Sequence, residues 1–329
     1  MAKASQHNIV PITLTLMFLT LITTLRAAIY PTQSELVSNI ATPIGGYLQA
    51  WGAQLPTLSA IVWGITVIYG GMAIGRCGIR YSIYPAYTVI GIPIFGIIAT
   101  GIMASHQMLL AAAALLTIVL ATKYMLRYIM QTESYGDLSL AMLYFGLLPA
   151  IYAPTTILYV ILPIAMLFIK AHWRDWLTAT TSLLFPLFAL CYWSWCAGDG
   201  FLTPAFQAYY ATFTSSGFEV LSIASMAGFG IMMLVVVMIV ASLSVMVSDK
   251  YALNGRARVA MLFNAIMILL MGATFIAPSA SIISLALLAV STSSLIPLMF
   301  IKLQHGFTRL VYRLLMLMTL INTIILIFL

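Results

Sequence analysis

The sequence predicts an all-α fold: a polytopic transmembrane helical bundle of about eleven segments. Three observations predict it. Of 329 residues, 63% are hydrophobic and 6% are charged, with a mean hydropathy of +1.09. A soluble domain carries about a quarter charged residues, so water is not the only solvent this chain meets. The apolar residues come in runs of helix length separated by short polar gaps, and the basic residues occupy alternate gaps almost without exception. The chain reads as one integral membrane domain, residues 1–329, with polar outer-side intervals at 30–55 and 197–224.

The first apolar segment is Ile9 to Leu25, flanked by Lys3 and Arg26. Its length suits a signal peptide, but a charge and Pro31 at the exit make a poor cleavage context, so it is read as a retained helix. In the following interval Leu36, Ile40, Ile44, Tyr47, Leu48 and Trp51 recur at three- and four-residue steps. That spacing predicts an interfacial helix, interrupted at Pro43 and Gly45-Gly46. Pro56 opens a span to about Gly75, closed by Arg76 and Arg80. A third span covers Ile83 to Met103 and a fourth Met108 to Thr122, with Lys123 and Arg127 on its helical continuation.

Leu138 to Lys170 reads as a short hairpin turning at Tyr152-Ala153-Pro154-Thr155. Arms of about fifteen residues reach roughly 22 Å, short of a ~30 Å hydrocarbon slab. Such arms need surrounding protein, or must dip in and return. His172 to Trp176 is expected as an aromatic surface segment, followed by a span to Cys196 that is kinked or unwound at Pro186. Further spans are read at Ser225–Val247, Val259–Ala277, Ser281–Ile301 and Leu310–Phe328.

With the N-terminus inside, Lys3, Arg76, Arg80, Lys123, Arg127, Lys170, Arg174, Lys250, Arg256, Arg258, Lys302, Arg309 and Arg313 fall on the inner side, and only Arg26 falls outside. This is a strong instance of the positive-inside rule, and it puts the C-terminus outside. The net charge of +7 is thereby explained by position, and no basic cluster has the form of a nucleic-acid groove.

No phosphate loop, nucleophile elbow, zinc motif or dinucleotide fingerprint is present, and no cofactor or metal is expected. Cys77, Cys191 and Cys196 lack metal-ligand spacing and read as buried small apolar residues. None of the seven acids falls at the centre of a span, which argues against a proton-coupled pump. Glu133, Asp137, Asp175 and Asp249 border the inner side among basic residues that can pair with them. Asn264, Asn322 and the intramembrane hydroxyls are expected to bond across helix contacts. The two outer intervals are the expected site. They bring Arg26, Trp51, Tyr209 and Tyr210 as binding candidates to one surface with Glu35, Asp199 and Glu219 as candidate acid–base groups. Glu35 leads these because it follows the first span so closely.

The stretch LLPAIYAPTTILYVILPIAMLFIKAHWRDWLTATTSLLFPLFALCYWSWCAGDGF resembles an uncharacterised family of bacterial polytopic inner-membrane proteins, defined by a domain of unknown function. So does the C-terminal run from ARVAMLFNAIMILLMGATFI through SSLIPLMFIKLQHGFTRLVYRLLMLM. The resemblance rests on hydropathy, proline placement and the Trp-Arg-Asp-Trp-Leu step; it implies a cell-envelope location and transfers no catalytic residue. The chain also resembles, more weakly, membrane glycosyltransferases that use polyprenyl-linked sugars, through its helix number, short hairpin and first-loop acid Glu35. It lacks their paired acidic motif in that loop and their outer soluble domain.

Three functions are therefore expected in turn. The first is a lipid-handling or scaffold subunit of envelope biogenesis, with the bilayer and an envelope protein or lipid-linked glycan as partners. The second is a transferase acting on polyprenyl-linked glycans, with Glu35 as base. The third is a small-solute transporter built on the proline-broken helices.

Overall fold

A computed structural model of the chain describes residues 9–29, 42–86, 88–100, 107–132, 134–159, 162–163, 166, 172–213, 226–248, 253–281, 283–303 and 305–328. Among them there is helix and no strand. In chain order the helices are α1 (Ile9–Ile29), α2 (Gly45–Gln54), α3 (Pro56–Arg80), α4 (Gly91–Thr100), α5 (Met108–Arg127), α6 (Tyr135–Ile151), α7 (Trp173–Cys196), α8 (Thr203–Phe213), α9 (Met226–Ser248), α10 (Gly255–Ala273), α11 (Ile283–Leu295), α12 (Pro297–Lys302) and α13 (His305–Phe328).

Six stretches are long and apolar enough to cross a membrane: Pro56–Arg80, Met108–Gln131, Trp173–Cys196, Met226–Ser248, Gly255–Ile276 and Ile283–Lys302. Thr13–Leu25, Gly91–Thr100 and Tyr135–Ile151 are shorter apolar helices. The expected eleven segments are thus not all full-length crossings among the described residues. The second hairpin arm lies largely outside those residues, as does its exit at Lys170.

α4 and α11 form the centre. Every residue of α4 is buried, and so is all of α11 apart from a partly exposed Leu288. Around them pack α1, α3, α5 and α10, then α6 against α5 and α7 against α6. α9 and α13 form a pair at the edge, with α12 packed against both. The interior is filled by Trp63, Phe95, Phe145, Tyr152 and Phe263, all nearly fully buried, with Phe145 and Phe263 edge to face at 6.3 Å. Lipid tails are as apolar as these side chains, so dispersion and close fit hold the helices together rather than escape from water.

The third expected span is corrected. Residues 81–86 and 88–90 are not helical, and helix begins again at Gly91. Pro85 pushes Tyr84 out of helical geometry, and Ser82 adopts a positive φ of 49°. Ile83, Thr88 and Val89 of this stretch are buried, whereas Ser82, Pro85 and Ala86 are exposed. Here the Tyr84 hydroxyl donates to the Ser294 carbonyl at 2.5 Å, next to the break before Pro297. Pro297 has no N–H to offer the preceding turn, so the expected span Ser281–Ile301 divides into α11 and α12. The two irregular stretches patch each other.

Other expectations also shift. α7 runs continuously through buried Pro186 rather than unwinding there, and His172–Trp176 forms its start. Among the described residues Asp175 has no cation within ion-pair distance; its Oδ2 accepts the His172 backbone N–H at 2.9 Å and caps the helix. Gly45-Gly46 opens α2 instead of interrupting it. Cys77 and Cys191 are buried, but Cys196 is exposed. Asn264 donates to Ala260 of its own helix at 3.0 Å, and Thr66, Thr100, Thr117 and Thr292 likewise bond the carbonyl four residues back. Other hydroxyls do bond between helices, as Ser139 and Ser182 do at 2.9 Å.

Candidate functional site

The hairpin turn is where the distant polar intervals meet. A helix leaves its last carbonyls without intrahelical donors, and α6 ends buried. Its Ala150 carbonyl accepts the Ile44 N–H at 3.0 Å, and its Ile151 carbonyl accepts the Thr42 hydroxyl at 3.0 Å. Gly45 makes that approach possible, since a Cβ there would lie 2.3 Å from the Ile151 oxygen. The turn continues as a 3₁₀ segment, Ala153–Ile157, whose Ala153 carbonyl accepts the Thr212 hydroxyl at 3.0 Å. Ser279 donates to the Thr212 carbonyl at 3.1 Å. Tyr152, fully buried, accepts the Ser281 N–H at 2.8 Å and shares hydrogen bonds with the Ser281 and Ser284 hydroxyls at 3.1 and 2.8 Å. Segments near residues 42, 152, 212 and 280 therefore close one end of the bundle with uncharged hydrogen bonds.

Beside this latch, α8 presents an aromatic ridge. Tyr209 and Tyr210 are half exposed, with their rings 5.9 Å apart; Tyr209 also meets Phe213 at 4.9 Å, and Tyr210 meets Phe206 at 6.5 Å. Asp199 is exposed in the turn between α7 and α8, its N–H donating to the Ser194 carbonyl at 3.0 Å. Trp193 and Trp195 are exposed on the last turn of α7. Tyrosine and tryptophan at such a level match the aromatic belt of a bilayer interface. Trp51 is exposed too, but on α2, whose neighbours are α3 and α5, whereas α8 packs on α7 and the hairpin turn. The expected aromatic platform is thus carried by two neighbourhoods. Arg26 belongs to the last turn of α1, and Glu35 and Glu219 lie outside the described residues.

The opposite end is charged. Arg127 Nε lies 3.2 Å from Asp137 Oδ2, the pairing expected for that acid, and Arg256 donates to the Met130 carbonyl at 3.4 Å. Arg80 lies over the Tyr81 ring at 5.9 Å. Burial raises the Tyr81 phenol above its usual pKa, although Arg80 and Arg127 act to lower it. Among the described residues no group of three or more histidine, cysteine or acidic side chains could hold a metal.

All-helical in its regular structure among the described residues, and with six candidate spans, the fold is compatible with a multi-pass membrane protein. Comparison with protein-family models, with curated proteins and with solved structures gives no match to this chain.

Proposed function

We propose that the protein is a subunit of the bacterial cell envelope, seated in the inner membrane and acting as a lipid-handling or scaffold component without covalent chemistry of its own. The observation that carries this reading is the filled centre. α4 and α11, the innermost helices, are buried against large apolar side chains, and of the described acids Asp137 and Asp175 lie in first helical turns and Asp199 in the turn between α7 and α8. A packed apolar centre suits a rigid partner-binding body better than a solute path.

The reading includes an eleven-segment topology with the N-terminus cytoplasmic and the C-terminus periplasmic. It draws support from the convergence of the intervals around residues 42, 152, 212 and 280, all assigned to the outer side, and from the basic residues grouped at the other end. Fusions after Phe328 should report a periplasmic tail; a cytosolic one would overturn the topology.

A transferase acting on polyprenyl-linked glycans is the second reading, favoured by the aromatic ridge that follows Asp199. Complementation of a gene deletion separates the two. The subunit reading expects copies carrying Glu35→Ala, Asp199→Ala or Glu219→Ala to restore envelope integrity fully. Loss of rescue by Glu35→Ala, with the protein still present in the membrane, would remove that reading in favour of the enzyme.

A further inference from the structure

The charged end contains an arrangement that charge sorting alone does not require. Arg76 and Arg80 are one helical turn apart on α3, and Lys123 and Arg127 are one turn apart on α5. Residues four apart share a helix face, and α3 and α5 pack directly against each other. Arg80 and Arg127 both act on Tyr81, and Arg80 and Lys123 both act on Cys77, so Arg80 of one pair and both members of the other face a common neighbourhood. Arg76, Arg80 and Arg127 are exposed and Lys123 partly so. Asp137 is engaged at 3.2 Å by Arg127, and among the described residues Arg76, Arg80 and Lys123 have no carboxylate within ion-pair distance. Among the described residues these four cations thus stand with one acid, Asp137, at the end of two apolar helices, Glu133 lying outside those residues. Arg80 is held there by the face of Tyr81, and the stacked rings of Tyr124 and Tyr144, 6.0 Å apart, join α5 to α6 alongside.

We propose that Arg76, Arg80, Lys123 and Arg127 form a binding site for the phosphate of an anionic phospholipid. The apolar bodies of α3 and α5 receive the acyl chains, and the two basic pairs neutralise the headgroup. Basic recesses between transmembrane helices bind acidic headgroups by this chemistry. The site stands independently of the envelope role proposed above.

Native mass spectrometry of the purified full-length protein, offered equal amounts of phosphatidylglycerol and phosphatidylcholine, tests it. Wild-type protein should retain phosphatidylglycerol with roughly tenfold preference. Arg80→Gln/Lys123→Gln should abolish the preference. Arg309→Gln/Arg313→Gln should leave it intact, because it removes the same charge from exposed positions of α13, which packs on α9 and α12. Should the first double variant fail to fold, Arg80→Lys/Lys123→Arg keeps the charge and should keep the preference. Equal retention of the two lipids by wild-type protein, equal loss in both glutamine double variants, or displacement of phosphatidylglycerol by inorganic phosphate would each overturn the proposal. The last outcome would make the ligand a free anion rather than a lipid.

Discussion

The two ends of this bundle are closed by different physics. At the hairpin turn, Tyr152 and Ser281 bond each other, Thr42 and Ile44 take the orphan carbonyls at the end of α6, and Thr212 takes that of Ala153, all without formal charge. At the other end Arg127 meets Asp137 with the arginine side chain 47% exposed, and further cations stand around them. Buried neutral bonds cost a full desolvation penalty when one partner is lost, whereas exposed ion pairs contribute little and fade with salt. One end is therefore expected to be rigid and indifferent to ionic strength, and the other adjustable and open to a charged ligand.

The largest effect is expected where the hairpin arm touches α7. A Cβ on Gly146 would sit 2.0 Å from the Leu183 carbonyl, which is backbone and cannot rotate aside. Gly146→Val should cost about 3 kcal/mol or more by forcing α6 and α7 apart. Unfolding in mixed detergent–SDS micelles reads this directly, and a variant within 1 kcal/mol of wild type would show that the hairpin arm is not clamped. Next comes Tyr152→Phe, which strands the half-buried Ser281 N–H and leaves the buried Ser284 without its phenol partner. A loss of about 2 kcal/mol is expected, unchanged between low and high salt. Thr42→Val removes a single cap on Ile151 and should cost about 1 kcal/mol.

The sequence exposes the two ends to different degrees. The basic end is legible because lysine and arginine sort by compartment, and Arg76, Arg80, Lys123 and Arg127 announce themselves at the ends of apolar runs. The end of the first hairpin arm at Ile151 is legible too, because Pro154 and the change to Tyr-Ala-Pro-Thr mark a turn. The latch itself is not. Thr42 and Ile151 are 109 residues apart, and nothing local in Ala41-Thr42-Pro43 names its partner. The broken stretch after α3 escapes for another reason: hydropathy measures solvent preference, not backbone geometry, so an apolar irregular segment reads like an apolar helix. Asn264 and the threonines mislead similarly, since a hydroxyl or amide can satisfy itself on its own helix without reaching a neighbour.

The smallest effect sharpens the contrast most. Asp137→Asn keeps the shape of the side chain and removes the charge facing Arg127. Because Arg127 is half open to solvent, the loss should be below about 1 kcal/mol at low ionic strength. It should shrink further at 1 M salt, where the screening length is about 3 Å. A salt-independent loss as large as that of Tyr152→Phe would erase the distinction between the ends. The same substitution makes the basic end more positive, so its lipid behaviour should move the opposite way: Asp137→Asn protein should retain phosphatidylglycerol at least as well as wild type. If instead retention falls, Asp137 is needed to aim Arg127 at the headgroup, and the pair is part of the site's geometry rather than a brake on its charge.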